Sequence, residues 1–368
     1  MLFVLSNELI KFCSAPNGRE IAGLQNLLQA AQDGKHAVIG SNAIFVALFK
    51  NTHLSDRERA MAKTLANRRT ELRALVDIVR YKVLVEAGSI SNKLQREDGF
   101  CWRISLAELS EKYLEKVVIL AENMMDAEIY QWAARHYQAS KRLNGFVLSS
   151  TARGGGGSTI AVELKKLLAD GTPVFAITDG DLTFSGSPVS VMANRCEDLV
   201  INGAGLGWHF SLPTRDVENI VPHKILLEVA DSQIGPGAFD LIELISEKND
   251  VGISPCMFAC LKKGLTLKQT FENKNIPEKN YWLNVADKIK SRRDSAFGVC
   301  FEKQNCTSAC CNCFISGGFG EAVLVQVGIW LSERSVQNSL KSFSSSEIWM
   351  DIGAMTFDIS IAFARTRI

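Results

Sequence analysis

Between residues 116 and 181 short apolar runs alternate with amphipathic stretches, an order that few folds accommodate. Lys116-Val-Val-Ile-Leu-Ala-Glu122 is the first run, after which Asp126, Ile129, Tyr130, Ala133, Ala134 and Tyr137 repeat at helical spacing. Phe146-Val-Leu148 is the second, ending at Ser149-Ser150. Gly154 to Gly157 then lead into a helix over 158–168 with Ile160, Leu164, Leu167 and Leu168 on one face. Val174-Phe-Ala-Ile-Thr-Asp-Gly-Asp181 is the third. This alternation predicts an α/β fold, a parallel sheet with right-handed crossovers. Ligands of open α/β sheets bind beyond the carboxyl ends of the strands. Glu122, the glycine loop and the Asp179–Asp181 pair are expected together at that edge.

Asp179 and Asp181, spaced i, i+2, project to the same side of an extended backbone. Two carboxylates held there repel unless a cation lies between them. Taken alone, the stretch reads equally as a strand followed by an Asp-Gly turn with solvated acids. The glycines do not make a Walker loop, because Gly157 rather than lysine precedes Ser158-Thr159. No acid closes a following strand where a dinucleotide ribose would need it. Two readings remain: a flexible loop, or backbone N–H groups at Gly155 and Gly156 that admit a phosphate at a helix N-terminus.

An acid ending one strand, a glycine turn after a second and Asp-x-Asp ending a third closely resemble the TOPRIM domain. That module is shared by type IA and type II topoisomerases, bacterial primases, OLD-family nucleases and small ribonuclease-maturation enzymes. The matching residues are Glu122 in Ile119-Leu-Ala-Glu-Asn-Met-Met-Asp126, and Asp179 and Asp181 in Thr178-Asp-Gly-Asp181, within about 116–232. The family usually has glycine after the glutamate; here Asn123 stands there, the next most tolerant residue for a left-handed turn. Arg215-Asp-Val-Glu-Asn219 resembles the Arg-Glu-Ile-Glu-Asn segment of nuclease-type members found in phage-defence systems.

The resemblance implies Mg²⁺ or Mn²⁺ held by Glu122, Asp179 and Asp181, with Glu218 as a fourth acid at the site. Glu218 is otherwise read as an acid complementing a helix N-terminus. Glu122 would serve as base toward the attacking water. Arg153, Lys165 or Lys166 would neutralise phosphate charge, although both lysines suit an exposed helix face equally well. The implied activity is hydrolysis of nucleic-acid phosphodiesters, in RNA such as tRNA or in DNA, by a toxic effector of anti-phage defence. Such effectors are commonly silenced by a protein partner, often an ATPase, and a homo-oligomer is compatible with the reading. The alternative is a non-catalytic TOPRIM-fold module that binds nucleic acid or regulates, its acids being structural. No tyrosine lies in a context that a topoisomerase would require.

Around this core the expected organisation is a mixed domain over 1–115, the TOPRIM-like domain over 116–232 and a mainly helical domain over 233–368. Within the last, helices are expected over 239–247, 256–263, 282–290 and 347–364, and strands before it at 198–201 and 208–212. Ser55-Asp-Arg-Glu58 has capping-box spacing and opens a helix expected to reach about Glu86. That helix carries Arg57, Arg59, Lys63, Arg68, Arg69, Arg73, Arg80 and Lys82: a solvated face or a phosphate contact. A second basic stretch, Lys262 to Arg293, has nine Lys and Arg against three acids, with Tyr281 and Trp282 inside it. It suits a nucleic-acid surface or a solvated helical one.

Net charge is only +1, so nucleic-acid affinity must come from local patches. No apolar run approaches a membrane span; Val323 to Leu331 is bracketed by Glu321 and Glu333. The first residues carry no export signal, and ten cysteines then imply reduced thiols and a cytoplasmic protein. Cys306-Thr-Ser-Ala-Cys310-Cys-Asn-Cys313 has the spacing of a radical-SAM iron–sulfur site but lies far from where such motifs occur. Cys300, Cys306, Cys310 and Cys313, with Cys256 or Cys260, suit a structural Zn²⁺; buried unligated thiols are the other reading.

Overall fold

Strand and helix alternate as the sequence predicts, but in two sheets. The computed structural model describes residues 1–12, 18–68, 75–88, 94–203, 205–230, 235–247, 253–306 and 313–366. The chain divides into a first unit, Met1–Ile177 with Arg195–Phe210 and Met350–Ile368, and a second, Thr178–Asn194 with Ser211–Trp349. No helix among the described residues is long and apolar enough to cross a membrane.

In the first unit, β1 (Leu2–Leu5), β2 (Ala37–Ile39), β3 (Lys82–Glu86), β4 (Leu94–Arg96) and β5 (Cys101–Ser105) lie in the order β2-β1-β3-β5-β4. All pairings are parallel except that of β4 with β5. β3 corrects an expectation. The helix opened by Ser55 does carry its capping box but spans Asp56–Asn67, and Lys82–Glu86 is a strand. Val83 and Val85 are buried while Lys82, Leu84 and Glu86 are half-buried, the period of two that a pleated strand imposes. Arg69 and Arg73, counted on that basic helix, lie outside the described residues. Four of the others make contacts within the chain. Arg57 donates to Gln32 at 2.8 Å, Arg59 pairs with Asp56, Arg68 lies over the Phe363 ring at 4.2 Å and Arg80 over Phe100 at 4.4 Å.

The second sheet contains β6 (Val117–Ala121), β8 (Ser150–Gly154), β9 (Val174–Thr178) and β10 (Gly207–Ser211) in the order β10-β9-β6-β8. Every residue of β6 and β9 is buried, which their unbroken apolar runs require of a sheet covered on both faces. β6 runs parallel to β8 and β9, with Ala121 opposite Gly154 and Leu120 opposite Ala176, so the three strands end at one edge. The expected strand at Phe146–Leu148 is not part of this sheet: Val147–Leu148 (β7) pairs antiparallel with Ile361–Ala362. The sheet strand is Ser150-Thr-Ala-Arg-Gly154, an edge strand with no apolar run to betray it. Asp198–Ile201, expected as a strand, belongs to the helix Val191–Asn202, which buries Ala193, Cys196 and Val200.

Aromatic packing joins the two sheets. The Tyr81 and Phe175 rings lie 5.7 Å apart, Trp102 meets Trp208 edge-on at 6.5 Å, and Trp102 Nε1 donates to the Gly207 carbonyl at 3.1 Å. Burial of each such ring contributes about 1.5–3 kcal/mol, and the indole N–H finds the partner that burial demands.

Asp358, on the helix Glu347–Ser360, is a buried acid at 2% exposure in the same unit. The Arg80 backbone N–H donates to it at 2.8 Å. Burial outweighs this bond and pushes its carboxyl up to about 7. A carboxyl whose folded pKa exceeds its unfolded value binds more protons when folded, so the contribution of Asp358 to stability falls as pH rises from about 4 to about 7 and is flat above, against the opposite trend of the buried Met1 amine, His136 and His223. Asp358→Asn, which still accepts from Arg80, is therefore expected to stabilise the protein at pH 7.5 by an amount on the order of 1–4 kcal/mol and to flatten that decline. Urea melts between pH 4.5 and 8 measure both effects.

The second unit is mainly helical beyond residue 222, with helices His223–Val229, Gly235–Leu244, Leu267–Glu272, Ile276–Ile289, Ser295–Glu302, Val323–Ser332 and Val336–Phe343. Leu265–Thr266 pairs antiparallel with Phe314–Ser316. The helix expected over 256–263 is a single 3₁₀ turn, Pro255–Phe258, followed by turns. Trp282, inside the basic stretch, is a core residue: 1% exposed, its Nε1 donating to Thr183 O at 2.8 Å. Its ring is not available to stack on a base.

Candidate functional site

In the first unit, Glu122 follows β6 directly and is half-buried. Cys196 lies within its field: burial first, and then the Glu122 charge, push that thiol up to about 11. Asn123 was expected in a left-handed turn. Its backbone is extended instead (φ −123°), and it caps the helix Met124–Ser140, its backbone N–H and side-chain amide donating to Asp126 at 3.0 and 3.2 Å. The position does not need glycine, because the residue caps a helix from an extended backbone.

The glycine loop is bound to this strand end. Gly155 N–H donates to the Ala121 carbonyl at 2.7 Å and Gly157 N–H to the Glu122 carbonyl at 3.0 Å. A Cβ on Gly154 would come within 2.7 Å of the Met124 nitrogen, so only glycine lets β8 pass the start of that helix. Gly156 sits at φ +75°. The loop thus fixes the backbone of Glu122, and the Gly155 N–H is already committed to a carbonyl. Arg153 is half-exposed and paired with Glu163. Lys165 lines an open groove of about 810 Å³ with Val162, Leu168, Arg195 and Leu199.

In the second unit, Asp179-Gly-Asp181 is clamped by backbone. Asp181 N–H donates to Arg215 O at 3.0 Å and Leu212 N–H to Thr178 O at 2.9 Å. A Cβ on Gly180 would lie 2.3 Å from the carbonyl oxygens of both Leu212 and Thr214. Asp181 takes φ +51°, a left-handed conformation that aspartate tolerates better than most residues. The segment held in this way leads into Arg215-Asp-Val-Glu-Asn219, which is anchored in turn. Arg215 N–H donates to Met257 O at 2.9 Å, and the Asn219 amide to Cys256 O at 2.8 Å and Ala259 O at 3.0 Å.

Glu218, in the 3₁₀ turn Val217–Ile220, is only 1% exposed, and Lys262 Nζ stands 3.4 Å from its Oε1. Burial opposes the charge of Lys262, but Glu218, then Asp216 and Asp179, hold its ammonium above the usual range. Burial raises Asp216, Arg215 and Lys262 oppose that, and the Asp181 charge adds to it. Asp179, Asp181, Asp216 and Glu218 therefore share one electrostatic neighbourhood with Lys262 and Arg215, four acids against two bases. Lys262, counted in the second basic stretch as part of a nucleic-acid or solvated surface, faces these acids instead. It lies in a turn far along the chain, and nothing in its local sequence singles it out.

All the acids offer carboxylate oxygen, the donor type that Mg²⁺ and Mn²⁺ select, and their excess of negative charge suits a divalent ion. As placed, no three His, Cys, Asp or Glu among the described residues form a group that would hold a metal. Of the proposed zinc set, Cys310 lies outside the described residues; Cys300 and Cys306 are half-buried and Cys313 is buried. Comparison with known proteins finds no family model, no curated protein and no solved structure that matches the chain.

Proposed function

We propose that this protein is a metal-dependent nuclease of TOPRIM type, hydrolysing phosphodiester bonds of RNA or DNA. The observation that carries the reading is the order of elements in the second sheet. β6 precedes Glu122, β8 runs into the glycine loop, and β9 precedes Asp179 and Asp181, with the three parallel strands ending at one edge. The anchored Arg215–Asn219 segment and the acids around Lys262 support it.

By the resemblance, Glu122, Asp179, Asp181 and Glu218 would hold Mg²⁺ or Mn²⁺. A divalent ion, when bound, supplies charge neutralisation at the phosphodiester and eases deprotonation of water. The chain's own residues do the rest. Glu122 accepts the proton of the attacking water, its backbone held by the glycine loop. The turn at Gly180 keeps the two aspartates in a fixed backbone frame, which spares reorganisation during the reaction. Arg153 stands half-exposed within reach of solvent, so its guanidinium is open to a phosphate, at the cost of its pairing with Glu163. By the same resemblance, the protein acts as a toxic effector of anti-phage defence restrained by a partner protein.

The second reading, a non-catalytic binding or regulatory module, draws on the Lys262–Glu218 pair, which gives an acid a structural partner. Purified protein incubated with tRNA, single-stranded RNA and DNA in Mg²⁺ or Mn²⁺ separates the two. Cleavage lost on EDTA addition is expected; no cleavage of any substrate favours the module.

A further inference from the structure

The second unit holds a buried carboxylate neutralised by a lysine at the place where the reading above needs a metal ligand. Glu218 has almost no access to water, and a carboxylate so placed needs a positive charge beside it. Lys262 supplies that charge from 3.4 Å, in a field to which Asp216 and Asp179 also contribute. The pairing is built into the backbone. Asn219 ties the Glu218 turn to Cys256 and Ala259, while Phe319 N–H and Gly320 N–H hold the carbonyls of Leu261 and Lys262 at 2.7 and 3.0 Å. Only the lysine side chain is left to move, and it is 30% exposed on a flexible four-carbon stem.

We infer that Lys262 is a resident cation that must release Glu218 before that carboxylate holds a divalent ion, so that the ion pair and metal loading exclude each other. The inference rests on the metal-site reading above. An ammonium and a divalent ion on the same carboxylate repel at short range, where the interior screens them poorly. With the ion absent, Lys262 keeps the acids from repelling one another; with it present, the lysine is free to turn toward solvent or a substrate phosphate. The site thus has a closed, metal-free state and an open, loaded one, and the ion shifts the balance by its preference for the second.

Calorimetric titration of Mn²⁺ into the full chain tests this with wild type, Lys262→Gln, Lys262→Arg and Asp179→Asn. Lys262→Gln is expected to bind Mn²⁺ about tenfold or more tightly than wild type, and Lys262→Arg about as wild type, since it keeps the competing charge. Asp179→Asn should weaken binding at least tenfold. Because Lys262→Gln removes the positive charge facing the buried Glu218 and is destabilised without metal, the Mn²⁺-induced rise in melting temperature is read as well; it should exceed that of wild type. Unchanged or weaker binding by Lys262→Gln, or an equal or smaller melting shift, overturns the inference while leaving the metal site standing. Absence of Asp179-sensitive binding in both wild type and Lys262→Gln overturns the metal-site reading and the inference together.

Discussion

Asp179→Asn is expected to lower metal-dependent cleavage on the order of 10³-fold, while the protein folds as wild type or melts slightly higher. The two effects separate because they draw on different physics. The carboxylate contributes to catalysis through the ion it helps to hold, and a divalent ion supplies several kcal/mol of charge stabilisation at a phosphodiester, about 1.4 kcal/mol for each tenfold in rate. In the resting protein the same charge adds to a neighbourhood that already contains Asp181, Asp216 and Glu218. Removing it relieves repulsion among like charges, as commonly happens when active-site residues are neutralised. Initial rates on a labelled substrate in Mn²⁺, beside a thermal melt of the same preparation, check both halves. A fall in cleavage matched by a fall in melting temperature would instead point to a structural acid.

Gly180→Ala is expected to cost about 3 kcal/mol of stability and to take cleavage with it. The added Cβ would stand 2.3 Å from two carbonyl oxygens, those of Leu212 and Thr214. Neither is the end of a flexible side chain. Leu212 is bonded through its N–H to Thr178, and Arg215, next to Thr214, is bonded to Met257. Backbone must therefore shift, and shifts of that kind in packed regions cost about 1–3 kcal/mol or more. The displacement also moves Asp179 and Asp181 on either side, so activity should fall further than stability alone explains. Urea denaturation and cleavage assayed well below the melting temperature distinguish the two losses. A variant as stable and active as wild type would show that the turn does not need its glycine.

How much of this was legible in the sequence depended on burial. β6 and β9 are enclosed on both faces, so their composition is forced and each reads as an unbroken apolar run. β8 lies at the sheet edge and needs no such run; Ser150-Thr-Ala-Arg-Gly154 gave no strand signal, and the apolar triplet Phe146–Leu148 drew the expectation before it. Lys82–Glu86 failed for another reason. Val83 continues the helical face that starts at Met61, whereas Val85, two residues on, fits only alternation, and the slot between β1 and β5 decides for a strand. Asp198–Ile201 shows the reverse: a short apolar run that turned out to be the end of a helix.

Of the candidate site, Glu122 and Asp179 were legible because they follow strands, and Glu218 through the resemblance of the segment around it. Lys262 was not, because its role comes from a tertiary contact with Glu218 that no local pattern encodes. Trp282, noted inside a basic stretch that suits a nucleic-acid or a solvated surface, is instead packed in the core with its indole bonded to Thr183.

The most direct measurement of the central claim compares cleavage rates in saturating Mn²⁺ for wild type, Glu122→Gln, Asp179→Asn and the double variant, with folding verified for each. Residues that serve one reaction lose activity together, so each single variant should fall close to background and the double should be no worse than the weaker single. Cleavage that persists in either single variant, or losses that multiply in the double, would contradict the assignment of these acids to one catalytic site.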